Sequence, residues 1–239
     1  MLATIRSASP ERIGRRPNPS ATASRRRWFS AALIALMLIC GLAGPQFSAA
    51  AADTAAAGQF IENLGTKVVG ILKNETSSAA DRQTNFKALF VDNFDALTIG
   101  RFVLGRHWRE LNAEQRAQFV TLFSDYVAAL YAAQFSRYQG QTLKVAASRP
   151  VGGDDISVES LILQPNSRTP LHVNFRVHQQ SSGFKVVDVS VDNVSLIITK
   201  RSEFNSIIQS EGIDGLMQRM RQALQRIGHT AAADVSRTG

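Results

Sequence analysis

From Leu171 to His178 the chain alternates without a break. Leu171, Val173, Phe175 and Val177 are apolar, while His172, Asn174, Arg176 and His178 are polar. A period of two sends successive side chains to opposite faces of a strand. A strand of this kind belongs in a sheet with one face on a core and the other in water. Ser181-Ser182-Gly183 reads as a hairpin loop leading to a second strand. There Phe184, Val186 and Asp188 are expected on one face, and Lys185, Val187, Val189 and Val191 on the other. Asp192-Asn193 reads as a two-residue turn into another strand over 194–199. Residues 156–163, set between Gly152-Gly153-Asp154-Asp155 and Pro165-Asn166-Ser167, and residues 141–147 add two more. Short loops between successive strands make them antiparallel.

On both sides of these strands the apolar period changes to that of a helix. Asn112 and Gln115 have the spacing of a capping box. They open a helix expected over 112–138, with Phe119, Leu122, Phe123, Tyr126, Val127, Leu130 and Tyr131 on one face. Phe86, Leu89, Phe90 and Phe94 form a second stripe within 81–94. Phe60, Ile61, Leu64, Val68, Ile71 and Leu72 form a third within 60–72. After the strands, Phe204, Ile207 and Ile208, then Leu216, Met217, Met220 and Leu224, place helix within 200–227, interrupted near Gly212-Ile213-Asp214-Gly215. Helices grouped away from a run of strands indicate an α+β fold. The expectation is a curved antiparallel sheet of about four to five strands packed against several helices. Residues 53–228 form a single domain in this reading, and 229–239 a flexible tail.

The formal charge of the 239-residue chain is +8, which invites a nucleic-acid partner. The distribution removes that reading. Arg6, Arg12, Arg15, Arg16, Arg25, Arg26 and Arg27 precede Trp28, opposed only by Glu11. An uncharged apolar run, Phe29 to Leu42, and an Ala-rich exit follow. This is the pattern of a cleavable signal peptide over residues 1–50, too short for a comfortable membrane span. Three arginines ahead of the run also loosely match a twin-arginine signal. Without the leader the chain has a net charge of about +2. Cys40, the one cysteine, lies in the leader, so the exported chain has no thiol for a disulfide, a metal or a nucleophile.

Chemistry-bearing patterns are scarce. His172 and His178 share a face but lie ~20 Å apart along a strand, too far to hold one ion. His107 and His229 are isolated in sequence. There is no nucleophile elbow, phosphate-binding loop or zinc-protease motif. Asp188 is expected to pair with an arginine such as Arg101, Arg106 or Arg109. The basic residues between Lys200 and Arg226 outnumber Glu203, Glu211 and Asp214 and read as a solvated face. Neither an enzyme, a metal nor a cofactor is expected. What stands out is an apolar surplus: aromatic helix stripes opposite an apolar sheet, able to form either solid core or the walls of a cavity.

Three segments in order resemble the MlaC family, also called toluene-tolerance auxiliary proteins. They are Ile99-Gly100-Arg101-Phe102-Val103-Leu104-Gly105-Arg106-His107-Trp108-Arg109, Gly183 to Leu196, and Arg201 through Phe204 and Ile208 to Leu216. Phe184 stands where the family usually has Trp, and Asp192-Asn193 where Glu-Gly is common. The resemblance implies a periplasmic phospholipid carrier with acyl chains held between sheet and helices. Its implied partners are phospholipid, an inner-membrane ABC lipid transporter with an MCE-type subunit, and an outer-membrane lipoprotein–porin complex. It is expected to act as a monomer. Hopanoid or another sterol-like lipid is the alternative cargo. A lipid-processing enzyme or a non-binding envelope adaptor is the alternative of another class. On this resemblance the cavity walls are expected to be Phe102, Leu104, Trp108, Phe123, Tyr126, Val127, Leu130, Val173, Phe175, Val189, Val191 and Leu196. Arg101, Arg106 and Arg201 are expected to meet the head group or a partner, or to pair with Asp95 or Asp188.

Overall fold

The computed structural model describes residues 49–74, 77–132 and 138–238; the signal peptide read from the sequence falls almost wholly outside them. The elements run α1 (Ala49–Lys73), α2 (Ala79–Asn93), α3 (Ala96–Leu104), a 3-10 turn (Gly105–Glu110), α4 (Ala113–Ala132), β1 (Thr142–Gly152), β2 (Asp155–Leu163), β3 (Leu171–Gln180), β4 (Gly183–Val191), β5 (Val194–Ser195) and α5 (Leu196–Thr238). The strands form one antiparallel sheet in the order β1-β2-β3-β4-β5 that does not close on itself. The fold is α+β, as the sequence pattern requires.

Local chemistry accounts for the element ends. Asn112 and Gln115 exchange backbone-to-side-chain hydrogen bonds of 2.9 Å each, capping α4. Ser78 and Asp81 do the same for α2. The β4–β5 turn has positive φ at both Asp192 (47°) and Asn193 (66°). That is the hairpin geometry matching strand twist, and Asp and Asn tolerate it among the non-glycine residues. α5 is broken at Gly212, whose φ of 73° and ψ of 178° are not helical.

Two expectations are corrected. The strand expected over 194–199 stops at Ser195, and helix begins at Leu196. Ser195 Oγ accepts the Ile198 N–H at 3.2 Å and Asp188 Oδ1 accepts the Ile197 N–H at 3.4 Å. Satisfying these first-turn donors outweighs the strand preference of Ile197, Ile198 and Thr199. Within β4, Arg176 pairs with Asp188 while Val177 pairs with Val186, so Val187 is a bulge. One extra residue inverts the alternation. Val186 and Val189, expected on opposite faces, therefore pack into the same core.

The buried residues form two cores. In one, Ala57, Ile61 and Leu64 of α1 and Leu89 of α2 lie on Ile156, Val158, Val177 and Val186 of the sheet. α1 comes close to β1 because it presents a glycine there: a Cβ on Gly65 would sit 3.2 Å from that of Leu143. The opposite sheet face is polar, with Asp155 bound to Arg176 (2.7 Å) and His178 (2.6 Å). The second core is helical. Phe119 and Phe123 of α4 both meet the Phe204 ring of α5 edge-on, at 6.5 and 6.2 Å. Val103, Leu104, Trp108, Leu216, Met217 and Met220 complete it.

α3 ends at Gly105, with φ 56° and ψ −122°. A Cβ there would lie 2.9 Å from Nη2 of Arg201. Gly105→Ala is expected to cost roughly 1–3 kcal/mol from backbone strain, lowering Tm by several degrees in thermal unfolding. An unchanged Tm would mean the turn relaxes into an ordinary conformation without loss.

Candidate functional site

A nearly wholly apolar slot of about 210 Å³ opens where the two cores meet. Phe86, Phe90 and Phe94 recur at four-residue intervals and line it from the α2 side. α3 adds Ile99 and Val103, and α4 adds Phe123, Val127, Leu130 and Tyr131. Asp188 and Val189 come from β4, and Leu196, Ile197 and Lys200 from the start of α5. Phe90 and Phe94 stack on each other at 4.6 Å between centroids. The β4 bulge is what brings Val189 to this side. The slot exceeds the ~150 Å³ apolar cavity that admits a benzene ring. In this form it accommodates a segment of one alkyl chain, and a two-tailed lipid requires it to widen.

The slot has a polar end. Leu130, Tyr131, Leu196 and Lys200 also line a recess of about 350 Å³, together with Thr199 and Glu203. The Lys200 ammonium donates to Glu203 at 2.6 Å and sits 5.8 Å from the centre of the Tyr126 ring. Burial holds the Tyr131 phenol above its ordinary value of 10.0, against a smaller opposing pull from Lys200. Burial also pulls Lys200 down. The hydrogen bond to Glu203 and the acidic groups of Tyr126, Glu203 and Tyr131 outweigh it, leaving Lys200 above its ordinary 10.5.

Of the residues expected to line a cavity, Phe123, Val127, Leu130, Val189 and Leu196 are on this slot. Leu104 and Trp108 lie in the helical core, and Tyr126 packs against it beside Phe204. Phe175 belongs to the sheet core. Val173 is buried in the sheet opposite half-buried Val191. Phe102 is exposed, with the Arg201 guanidinium 4.9 Å from its ring centre. Arg106 and Arg201 line a different recess, which Val103 and Leu104 also line, and Arg101 is exposed. Among the described residues none of these arginines forms an ion pair with Asp95 or Asp188. Asp188 instead caps α5, and Arg176 across from it reaches Asp155. Sequence reasoning did not assign Phe86, Phe90, Phe94, Ile99, Tyr131, Ile197 or Lys200 to a site. The four-residue aromatic repeat of α2 was the available signal, since it presents one continuous ring surface.

Residues 62–222 match the MlaC protein family. The chain belongs to the MlaC family. A curated relative, the intermembrane phospholipid transport system binding protein MlaC of Haemophilus influenzae, is 28% identical over 127 residues. That alignment covers 52% of this chain and 59% of the relative, so less than two thirds of the relative's length is spanned. Among solved structures, a phospholipid-binding protein from Ralstonia solanacearum in complex with a phospholipid superposes with a TM-score of 0.63 at 20% identity. The match covers 72% of this chain and 98% of that one, so the two share a fold. Among the described residues of this family member, no helix is long and apolar enough to cross a membrane.

Tyr131 and Lys200 both hold their protons more tightly in the folded state. The stability this contributes is fully present below about pH 10 and is lost as pH rises through the raised folded values. Wild-type Tm is expected to fall above pH 10 more steeply than that of Tyr131→Phe in parallel thermal melts. Superimposable Tm–pH curves would contradict the burial assigned to this phenol.

Proposed function

We propose that this protein is an exported phospholipid carrier. An acyl chain enters the slot between the two cores, and the head group stays in the polar recess. The observation that carries the reading is the slot itself, where aromatic and aliphatic side chains from four helices and β4 converge with only Tyr131, Asp188 and Lys200 carrying polar groups. Each methylene taken out of water contributes ~0.8 kcal/mol, and walls of this kind discriminate poorly between chain lengths. Membership of the MlaC family supports the same reading, as does the basic and apolar leader, which fits export to the periplasm.

In this proposal the carrier exchanges lipid with an outer-membrane lipoprotein–porin complex and with the MCE-type subunit of an inner-membrane ABC transporter. Phospholipid is favoured over a sterol-like cargo because a flexible chain suits a narrow slot lined by rotatable side chains. Binding is favoured over catalysis because the one carboxylate in the slot, Asp188, is engaged by a backbone N–H. No acid, base or nucleophile is needed for transfer, only an opening of the slot at a partner surface.

Native mass spectrometry of the protein purified from a Gram-negative host is expected to find phospholipid at about one per chain. Leu130→Trp, which places an indole where slot and recess join, is expected to keep the helical circular-dichroism signal and to carry several-fold less lipid. Wild-type protein free of lipid, and unable to take it up from vesicles, would sink the carrier reading.

A further inference from the structure

We propose that Lys200 recognises the phosphate of the bound lipid, and that Glu203 occupies its ammonium when the slot is empty. This rests on the carrier reading above and adds the group that selects the cargo. Among the described residues, Lys200 is the only cation lining either the apolar slot or the recess that adjoins it. It stands at the passage between them. Leu130 and Leu196 line both spaces with it, and its ammonium donates to Glu203 in the recess, the usual arrangement for a lysine at an apolar boundary. A chain lying in the slot brings its glycerol and phosphate to this passage.

Glu203 is placed to yield. Its side chain is 49% exposed, whereas that of Lys200 is 22% exposed. Glu203 can therefore turn into water while Lys200 stays at the passage. The two residues are three apart on α5, so the exchange needs only a side-chain rotation. The Tyr126 ring beneath the ammonium keeps it in position during the exchange. Replacing a carboxylate by a phosphate leaves the number of charge-assisted hydrogen bonds to Lys200 unchanged. The arrangement thus binds phosphate without leaving a half-buried cation unpaired when the cargo departs. The arginines of the neighbouring surface do not serve this slot, because Arg106 and Arg201 line a separate recess.

The consequence is a preference for lipids that carry phosphate over lipids with the same tails that lack it. The test offers delipidated full-domain protein an equimolar mixture of dioleoyl phosphatidylethanolamine and dioleoylglycerol in detergent, with bound lipid read by native mass spectrometry. Wild type is expected to favour the phospholipid by about 10- to 100-fold, the range for one charge-assisted hydrogen bond. Lys200→Met, which keeps the stem, is expected to take both lipids about equally, and Lys200→Arg to restore the preference. Glu203→Gln, lacking the competing carboxylate, is expected to hold phospholipid more tightly than wild type. Thermal melts establish that each variant is folded. A folded Lys200→Met that keeps the wild-type preference overturns the assignment and leaves the carrier reading standing. The same holds for wild type that takes both lipids without preference. Wild type that takes up neither lipid overturns both. Inorganic phosphate is added in a parallel arm and is expected not to displace lipid. If it binds wild type but not Lys200→Met, and lipid preference is absent, the site is one for free phosphate and the proposal fails.

Discussion

At Phe94 and Asp95, α2 ends against the sheet, and the arrangement of everything around the slot follows from that junction. The Asp95 N–H donates to the Val186 carbonyl at 3.0 Å, and Phe94 bridges the same strand residue. The Asp95 carboxylate accepts the Thr98 N–H at 2.9 Å, starting α3, and also the Gln180 amide at 2.9 Å. One residue thus ends a helix, begins the next and ties both to β3 and β4. Backbone donors and acceptors withdrawn from water need such partners. α1 and α2 cover one sheet face, and α3, α4 and α5 are obliged to build a second core beside it. The slot is the seam between those cores.

A seam lined by large side chains need not close. Phe86, Phe90 and Phe94 offer flat rings on one side, while Val127, Leu130 and Val189 offer branched aliphatic groups on the others. Protein interiors commonly pack to crystal density, and the two cores here bury Phe119, Phe204, Val158 and Val177 almost completely. The space between them is where a guest gains most from burial and the protein loses least on opening. α2 and α4, which both line the slot, are linked by the Lys87–Asp125 ion pair. Both side chains of this pair are partly exposed, and water screens much of their attraction. Widening to admit a longer chain moves side chains that also belong to the helical core, among them Phe90, Val103, Phe123 and Val127.

Much of this architecture can be read in the sequence because it is local. The strand alternation of 171–178, the Asn112–Gln115 cap and the Asp192-Asn193 turn each depend on neighbours within a few residues. The family likewise shows in short segments that keep their order. The departures are those where a long-range partner decides. Ile197, Ile198 and Thr199 favour a strand until the Asp188 carboxylate and Ser195 hydroxyl supply acceptors for the first turn of α5. Val189 changes sides because Val187 is bulged, which depends on pairing with β3 and leaves no mark in β4's own pattern. The site was half visible for the same reason. Phe123, Val127 and Leu130 sit on a stripe whose apolar face is evident, but the stripe also contains Phe119, which packs solidly against Phe204. Which turn of α4 faces core and which faces the seam is set by where α2 and α5 lie. Lys200 was hidden in a basic stretch that resembles a solvated helix face, since nothing nearby in sequence reveals that Tyr126 and Tyr131 lie beside it.

In the proposed carrier an acyl chain occupies the seam between the sheet core and the helical core. A phospholipid bearing a photoreactive diazirine on one acyl chain tests this most directly, with the cross-linked residues mapped by mass spectrometry. Adducts are expected on Phe90, Phe94, Val127, Leu130 and Val189, and few on the polar sheet face around Arg176 and His178. Adducts concentrated on that face, or on the recess beside Arg106 and Arg201, would contradict it.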